Sequence, residues 1–277
     1  MQGATSSTLY RIELRSQQRS IQLVLRLLTN SEWLLEEPDL VRHEASNLVK
    51  VQPAGVPTPE LVAIDADGVH CGVPAILMTS LPGRVDLLPE NFAEWLLQQA
   101  LGIISVHHLE IEDYPWHFAP YNDASRLKVP AWSKVPDAWA RAIAIAGGSR
   151  PAVRMCFIHR DFHPTNVLWQ GARLSGIVDW PNACLGPAAF DVAWNRLNLA
   201  GLFGVKAADQ FLQAYQSQAA PAWHYDTYWD LLALVEILPG PPDVYPPWVE
   251  FGIHSLNNEV MLQRMDVYLT SLLSHYH

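Results

Sequence analysis

Four polar residues in the middle of the chain stand at intervals that could do chemistry. In the stretch FIHRDFHPTNVLW, Asp161 is followed five residues later by Asn166. Asp179 comes thirteen residues after that, closing the short apolar run SGIV, and Asp191 lies twelve further on. Phosphoryl transfer needs a carboxylate to receive or orient the acceptor hydroxyl, and hard oxygen ligands for Mg²⁺. Asp161 suits the first task and Asn166 with Asp179 the second, while His159 would stand behind the loop as a hydrogen-bonding support. Any one of these residues alone reads as a turn cap or a buried polar group. Four specified residues at fixed spacing arise by chance on the order of once in 10⁵ start positions, given average residue usage. Their placement on loops after apolar strands is a further requirement, and the sequence meets it.

An H-R-D loop with Asn five residues after the Asp is a kinase catalytic-loop pattern. HRDFHPTNVLW followed by GIVDWPNACLGPAAFDVA resembles the aminoglycoside phosphotransferase family, a branch of the protein-kinase-like fold. The resemblance rests on the H-x-D-x-x-x-x-N loop, the Asp of the next strand and the segment GPAAFDVA. It implies that Asp191 buttresses the catalytic loop, and His163-Pro164 marks this branch rather than protein kinases. Only eleven residues separate Asp179 from Asp191, which leaves no room for a protein-kinase activation loop. A small-molecule acceptor is therefore expected.

These residues need elements to hold them. The first eighty residues read as a β-rich unit containing one helix. STLYRIELRS and RSIQLVLRLL form a hairpin, EEPDLVRHEASNLVKV a helix, and GVPTPELVAIDADGVHCGVPAILMTS two more strands. The turn LPGR sets the boundary. Beyond it PENFAEWLLQQALGIISVHHLE has apolar residues at helical period, and PDAWARAIAIAGG is a shorter helix. Further helices are expected in FDVAWNRLNLAG, KAADQFLQAYQSQ, YDTYWDLLALVEIL and SLNNEVMLQRMDVYLTSLL. PGPPDVYPPWVEF reads as a rigid loop. The expected fold is α+β and two-lobed: a small antiparallel-sheet N-lobe (1–82) that binds nucleotide, and a larger, mostly helical C-lobe (83–277) with the catalytic loop.

The resemblance implies further roles in the first lobe. GATSSTLYRI fits a small-residue loop over phosphates, with Ser6 and Ser7 among the residues whose backbone could approach them. Arg26 in LVLRLL occupies the place of a phosphate-contacting lysine; it keeps the charge and adds a planar fork. Glu44 shares a helical face with Leu40 and Leu48. A carboxylate there wants a partner, and Arg26 is the natural one. Met78, Thr79 and Ser80 resemble the lobe connector, whose backbone would bond an adenine edge. The family carries a complete strand ahead of the small-residue loop, where this chain begins, so either the sequence starts late or the lobe lacks its first strand.

Composition narrows the partners. The chain of 277 residues is 49% hydrophobic and 17% charged, with a net charge of −10. That charge argues against nucleic acid or an anionic membrane as partner and tolerates a cationic substrate. Three widely spaced cysteines give neither a disulfide framework nor a zinc spacing. The start MQGATSSTLY lacks the features of a signal peptide, and no apolar run reaches membrane-spanning length. A soluble cytoplasmic protein is expected, of undetermined oligomeric state. From Val192 onward eight acids face three basic residues among many aromatics. Asp226, Asp230, Asp243 and Glu250 could hold a cationic substrate, or form a solvated face over an aromatic core.

Two functions follow. The first is transfer of the γ-phosphoryl of ATP or GTP, with Mg²⁺, to a hydroxyl of a small molecule such as an aminoglycoside. The second is a nucleotide-binding pseudokinase or regulatory protein with a trimmed N-lobe.

Overall fold

A computed structural model describes residues 7–16, 20–221 and 223–276. Strands β1 (Thr8–Arg15) and β2 (Ser20–Leu27) pair antiparallel in the register Thr8↔Leu27 to Arg15↔Ser20. Strands β3 (Leu61–Asp65) and β4 (Ala75–Thr79) complete an antiparallel sheet of order β1-β2-β4-β3. One face carries Val24, Ile76 and Met78, all buried.

Against that face lies helix α2 (Leu40–Val51), with Leu40, Leu48 and Val51 fully buried. This is the helix expected from EEPDLVRHEASNLVKV, with Glu36, Glu37 and Pro38 ahead of its first turn. A separate helix α1 (Ser31–Glu36) precedes it, capped by the Asn30 side chain at 3.1 Å from both Glu32 N and Trp33 N. Pro38 has no N–H to give and forces its predecessor out of helical geometry. Glu37 accordingly stands at φ −127°, ψ 76°.

The second part is mainly helical: α3 (Phe92–His107), α4 (Pro136–Ala146), α5 (Ala188–Phe203), α6 (Val205–Gln218), α7 (Tyr228–Val235), α8 (Pro246–Glu250) and α9 (Asn258–His275). Helix α8 corrects the expectation of a rigid loop across PGPPDVYPPWVEF. A proline opens it, where the missing N–H costs no hydrogen bond. Twelve residues of α5 are buried, including Asp191 and Arg196, so it is the central helix rather than a surface one.

Two short ladders carry the polar loops. Strand β5 (Met155–Ile158) pairs with β8 (Cys184–Pro187), and β6 (Val167–Gln170) with β7 (Arg173–Ile177). Strand β8 was not legible in CLGP, which has no alternation. It forms because Gly186 lets the chain lie against Phe118, whose Cβ would stand 2.9 Å from an added side chain.

The two parts are tied by α2. Asn47 donates to the Trp180 carbonyl at 2.7 Å, and the His43 ring pairs with the Ala183 carbonyl at 2.7 Å. The fold is the two-lobed protein-kinase-like arrangement, a small antiparallel-sheet lobe over a helical one. Among the described residues no helix is long and apolar enough to cross a membrane.

Candidate active site

The loop 159–166 runs between β5 and β6, and a buried carboxylate fixes its start. Asp191 accepts the backbone N–H of His159 at 2.7 Å and of Arg160 at 2.6 Å. The His107 ring meets the same carboxylate at 2.9 Å, and its other nitrogen pairs with the Tyr215 hydroxyl at 2.8 Å. Arg160 is a non-glycine residue at φ 66°, a conformation that persists only when its surroundings over-determine it. Its guanidinium donates to the Ala119 carbonyl at 2.6 Å and lies 4.0 Å over the Tyr121 ring. The His159 ring packs on Trp180 and pairs with the Val178 carbonyl at 3.0 Å. Burial pushes its pKa down, against the pull of Asp191 and Asp161, so the ring is a neutral support.

Asp161 stands half-buried at the turn of the loop. The Trp194 indole N–H donates to its Oδ1 at 2.8 Å, and His163 Nε2 lies 3.6 Å from the same oxygen. Asn166 Nδ2 donates to the Asp161 carbonyl at 2.9 Å and reaches its Oδ2 at 3.4 Å. Burial works to raise the Asp161 carboxyl, but His163, by charge and hydrogen bonding, and then His159 and Trp194 outweigh it. The group sits below its ordinary value and is ionised at neutral pH.

Asp179 follows β7 in the left-handed region at φ 71°. Its Oδ1 accepts from Arg26 Nη2, so the guanidinium joins the two lobes. Arg26 also donates from Nη1 to Glu44 Oε1 at 2.5 Å and from Nε to the Ser7 hydroxyl at 3.0 Å. Glu44 is 1% exposed and its Oε2 is buried without a partner among the described residues. Burial disfavours the charge on Arg26, yet Asp179 and Glu44 together raise its pKa above the ordinary value. Burial pushes the Glu44 carboxyl up despite the guanidinium.

A cleft of about 530 Å³ opens between the sheet and the β6–β7 hairpin. Arg26, Glu44, Asn166, Asp179, Met78, Thr79 and Ser80 all line it, so residues from distant parts of the sequence converge there. The N–H groups of Thr79 and Ser80 are already donated to the Glu60 and Gln22 carbonyls, at 2.9 and 3.0 Å. The next one, on Leu81, lines the cleft and has no acceptor among the described residues. Gly83, at φ 106°, closes this wall: an added Cβ would lie 2.6 Å from the Trp169 carbonyl oxygen. Ser7 is tied to Arg26, and Ser6 lies outside the described residues.

A second cavity, of about 450 Å³, lies on the other side of the loop. Asp161, His163 and Trp194 line it, and Tyr245 lines both cavities. Of the four C-terminal acids, only Asp243 belongs to its wall. Asp230 is 1% exposed and holds Arg196 at 2.9 Å and the Tyr268 hydroxyl at 2.9 Å. Asp226 accepts the Tyr228 N–H at 2.8 Å.

His107 and Trp194 escaped the sequence reading. Trp194 lies three residues beyond Asp191, one turn along α5, which is the signal that could have found it. His107 sits in an apolar helix with nothing nearby in sequence to explain it. His163, read as a mark of the branch, lies against the Asp161 carboxylate.

Among the described residues no group of three or more His, Cys, Asp and Glu side chains could hold a metal alone. That does not count against Mg²⁺, which binds through one or two protein ligands plus substrate phosphates and water. Asp179 and the side-chain oxygen of Asn166 supply hard donors on the cleft wall. The donor chemistry fits.

Comparison with known proteins agrees with this geometry. Homoserine kinase of Pseudomonas aeruginosa is 30% identical over 130 residues, covering 44% of this chain and 41% of that protein. Homoserine kinase of Rhodopseudomonas palustris is 30% identical over 192 residues, covering 60% and 56%. The chain thus spans about half the length of the curated relatives it matches. Among solved structures, a thermostable mutant of aminoglycoside phosphotransferase APH(4)-Ia, in a ternary complex with ADP and hygromycin B, superposes with a TM-score of 0.61. It is 14% identical, over 98% of this chain and 93% of that one. Macrolide 2'-phosphotransferase MphH from Brachybacterium faecium gives 0.52 at 16% identity, over 82% and 78%. At these identities the likeness shows the fold. Residues 2–228 match the sequence profile of the phosphotransferase enzyme family, and with the loop, its buttress and the cleft in place, the chain belongs to that family.

Proposed function

We propose that the protein transfers the γ-phosphoryl of ATP or GTP, with Mg²⁺, to a hydroxyl of a small molecule. The observation that carries this reading is the meeting of two cavities at one pair of residues. Asn166 lines the cleft beneath the sheet, Asp161 lines the second cavity, and the two side chains approach to 3.4 Å. A nucleotide in the first would present its terminal phosphate to an acceptor in the second.

In this reading Asp161 orients the acceptor hydroxyl and takes its proton as the new oxygen–phosphorus bond forms and the bridging bond to the β-phosphate breaks, releasing the diphosphate. Asn166 and Asp179 are the oxygen donors for Mg²⁺, which when bound neutralises phosphate charge. Arg26 holds Asp179 in place and keeps a cation at the phosphate end, and Glu44 fixes Arg26. Positioning and charge neutralisation carry most of the rate gain in such transfers. The Leu81 N–H is the free backbone donor for a base edge, next to Met78, Thr79 and Ser80.

The named relatives act on homoserine, and one structural neighbour holds hygromycin B. Both compounds belong in the acceptor panel. The purified chain with MgATP or MgGTP should phosphorylate a member of a panel of amino alcohols, homoserine, aminoglycosides and macrolides. Asp161→Ala should lower turnover by about 10²–10⁴-fold while leaving nucleotide affinity intact. Undiminished turnover in that variant would remove Asp161 from the reaction.

The Arg26–Asp179 contact also favours a second reading, a nucleotide-binding protein without catalysis, because it engages one metal donor. Mg²⁺-dependent thermal stabilisation by ATP together with turnover selects the enzyme. Stabilisation without turnover of any acceptor selects the second reading.

A further inference from the structure

The wall of the second cavity is chemically lopsided. Leu197, Pro242, Trp248, Met261 and Met265 make most of it apolar. Its carboxylates are Asp161 and Asp243, with the His163 ring beside Asp161; no lysine or arginine is among the described residues that line it. Asp243 is exposed, and Asn258 Nδ2 holds its Oδ1 at 2.5 Å. Its second oxygen has no hydrogen-bond partner among the described residues, and the residue lies on the cavity wall.

The other acids of the C-terminal third are not available to this cavity. Asp230 is consumed by Arg196 and Tyr268, and Asp266 by Ser133, the Lys134 N–H and Trp139. Asp226 caps Tyr228, and Glu250 is absent from the wall.

We infer that the acceptor is a compact amino alcohol: one hydroxyl, one ammonium group, an apolar body and no carboxylate. This rests on the kinase reading of the site. A polyamine would bring several charges to a wall with one carboxylate beyond Asp161 itself, and the rest would lose water without a partner. A carboxylate on the acceptor would face two acids and no cation, a repulsive arrangement. A single ammonium has Asp243, with the Trp194 and Tyr245 rings on the same wall for cation–π contact. The two methionines can adapt to an aliphatic or aromatic body.

Calorimetry on the full chain in the presence of ADP and Mg²⁺ reads the pocket without requiring transfer. The probes are phenylalaninol, its N-acetyl derivative, homoserine and kanamycin. Phenylalaninol should bind at least tenfold tighter than homoserine or kanamycin. In Asp243→Asn the ratio of phenylalaninol to N-acetylphenylalaninol affinity should fall at least tenfold. Tighter binding of kanamycin or homoserine, no binding of phenylalaninol, or an unchanged ratio in Asp243→Asn would overturn the inference. A parallel turnover assay with MgATP and MgGTP separates the two levels. Phenylalaninol bound, with no acceptor of the panel phosphorylated, leaves the pocket assignment standing and defeats the kinase reading, whereas preferential phosphorylation of kanamycin or homoserine does the reverse.

Discussion

Asp191 accepts the Arg160 N–H at 2.6 Å across 31 residues of sequence, and Arg160 is where the loop 159–166 takes its left-handed turn at φ 66°. One buried carboxylate thus holds a strained backbone whose next residue is Asp161. The same carboxylate accepts His159 N–H and faces His107, so the loop is pinned to both α5 and α3.

Asp191→Asn should therefore weaken both fold and reaction. The amide keeps one acceptor oxygen but turns an N–H₂ toward a donor. Loss of stability should be about 1–3 kcal/mol, the cost of a buried group left unsatisfied, measurable by urea denaturation. The kinetic loss should fall on kcat more than on nucleotide affinity, because Asp191 touches the loop and not the cleft. A variant as active and stable as the parent would remove the buttress role.

Arg26 presents three donors to three partners, which lysine cannot reproduce. Arg26→Ala leaves Glu44 buried and unpaired, at a cost of about 3–5 kcal/mol. Adding Glu44→Gln to that variant should recover part of the loss, since the stranded charge is gone. A denaturation cycle over the four proteins measures it; strict additivity would contradict a coupled pair. Arg26→Lys should fall between parent and Ala in stability.

The low pKa of Asp161 depends chiefly on His163 and to a smaller degree on Trp194. Removing either partner raises that pKa. With Asp161 as the proposed base, the acid limb of kcat/KM follows its ionisation, so it should move to higher pH in His163→Ala and by a smaller amount in Trp194→Phe. Limbs that coincide with the parent's would mean that another group sets the profile.

Glu236 supplies a pH signature of stability. Its carboxylate accepts the Tyr121 and Asn122 N–H groups, each at 3.2 Å, and burial raises its pKa from 4.5 to about 7 despite those bonds. A carboxyl whose folded pKa lies above its unfolded value binds its proton more tightly when folded. The associated stability is full below pH 4.5 and is lost as pH rises through about 7. Glu236→Gln removes that titration. The melting temperature of the parent should thus decline, relative to the variant, between pH 5 and about 7.5. Parallel curves would place the pKa of Glu236 near its ordinary value.

The convergence of the loop 159–166 with Asp179 and Asp191 was legible in the sequence because their spacing is set by short local segments: one loop, one strand end and the first turn of one helix. Strands β1 to β4 were legible for a similar reason, as alternation and turn residues act over a few positions. The partners of those residues were not. Arg26 is 153 residues from Asp179 and Trp116 of the β8 approach is 77 from Asp39, and only the packing of α2 between sheet and loop decides which carboxylate meets which cation. Likewise the sequence shows acids scattered from Asp209 to Asp266, and charge counting alone allows an acidic substrate surface. The tertiary structure turns Asp230 inward to Arg196 and leaves Asp243 on the second cavity. Burial and pairing, not composition, determine which charges an acceptor can meet, because an ion pair already satisfied in the core has no free energy to offer a ligand.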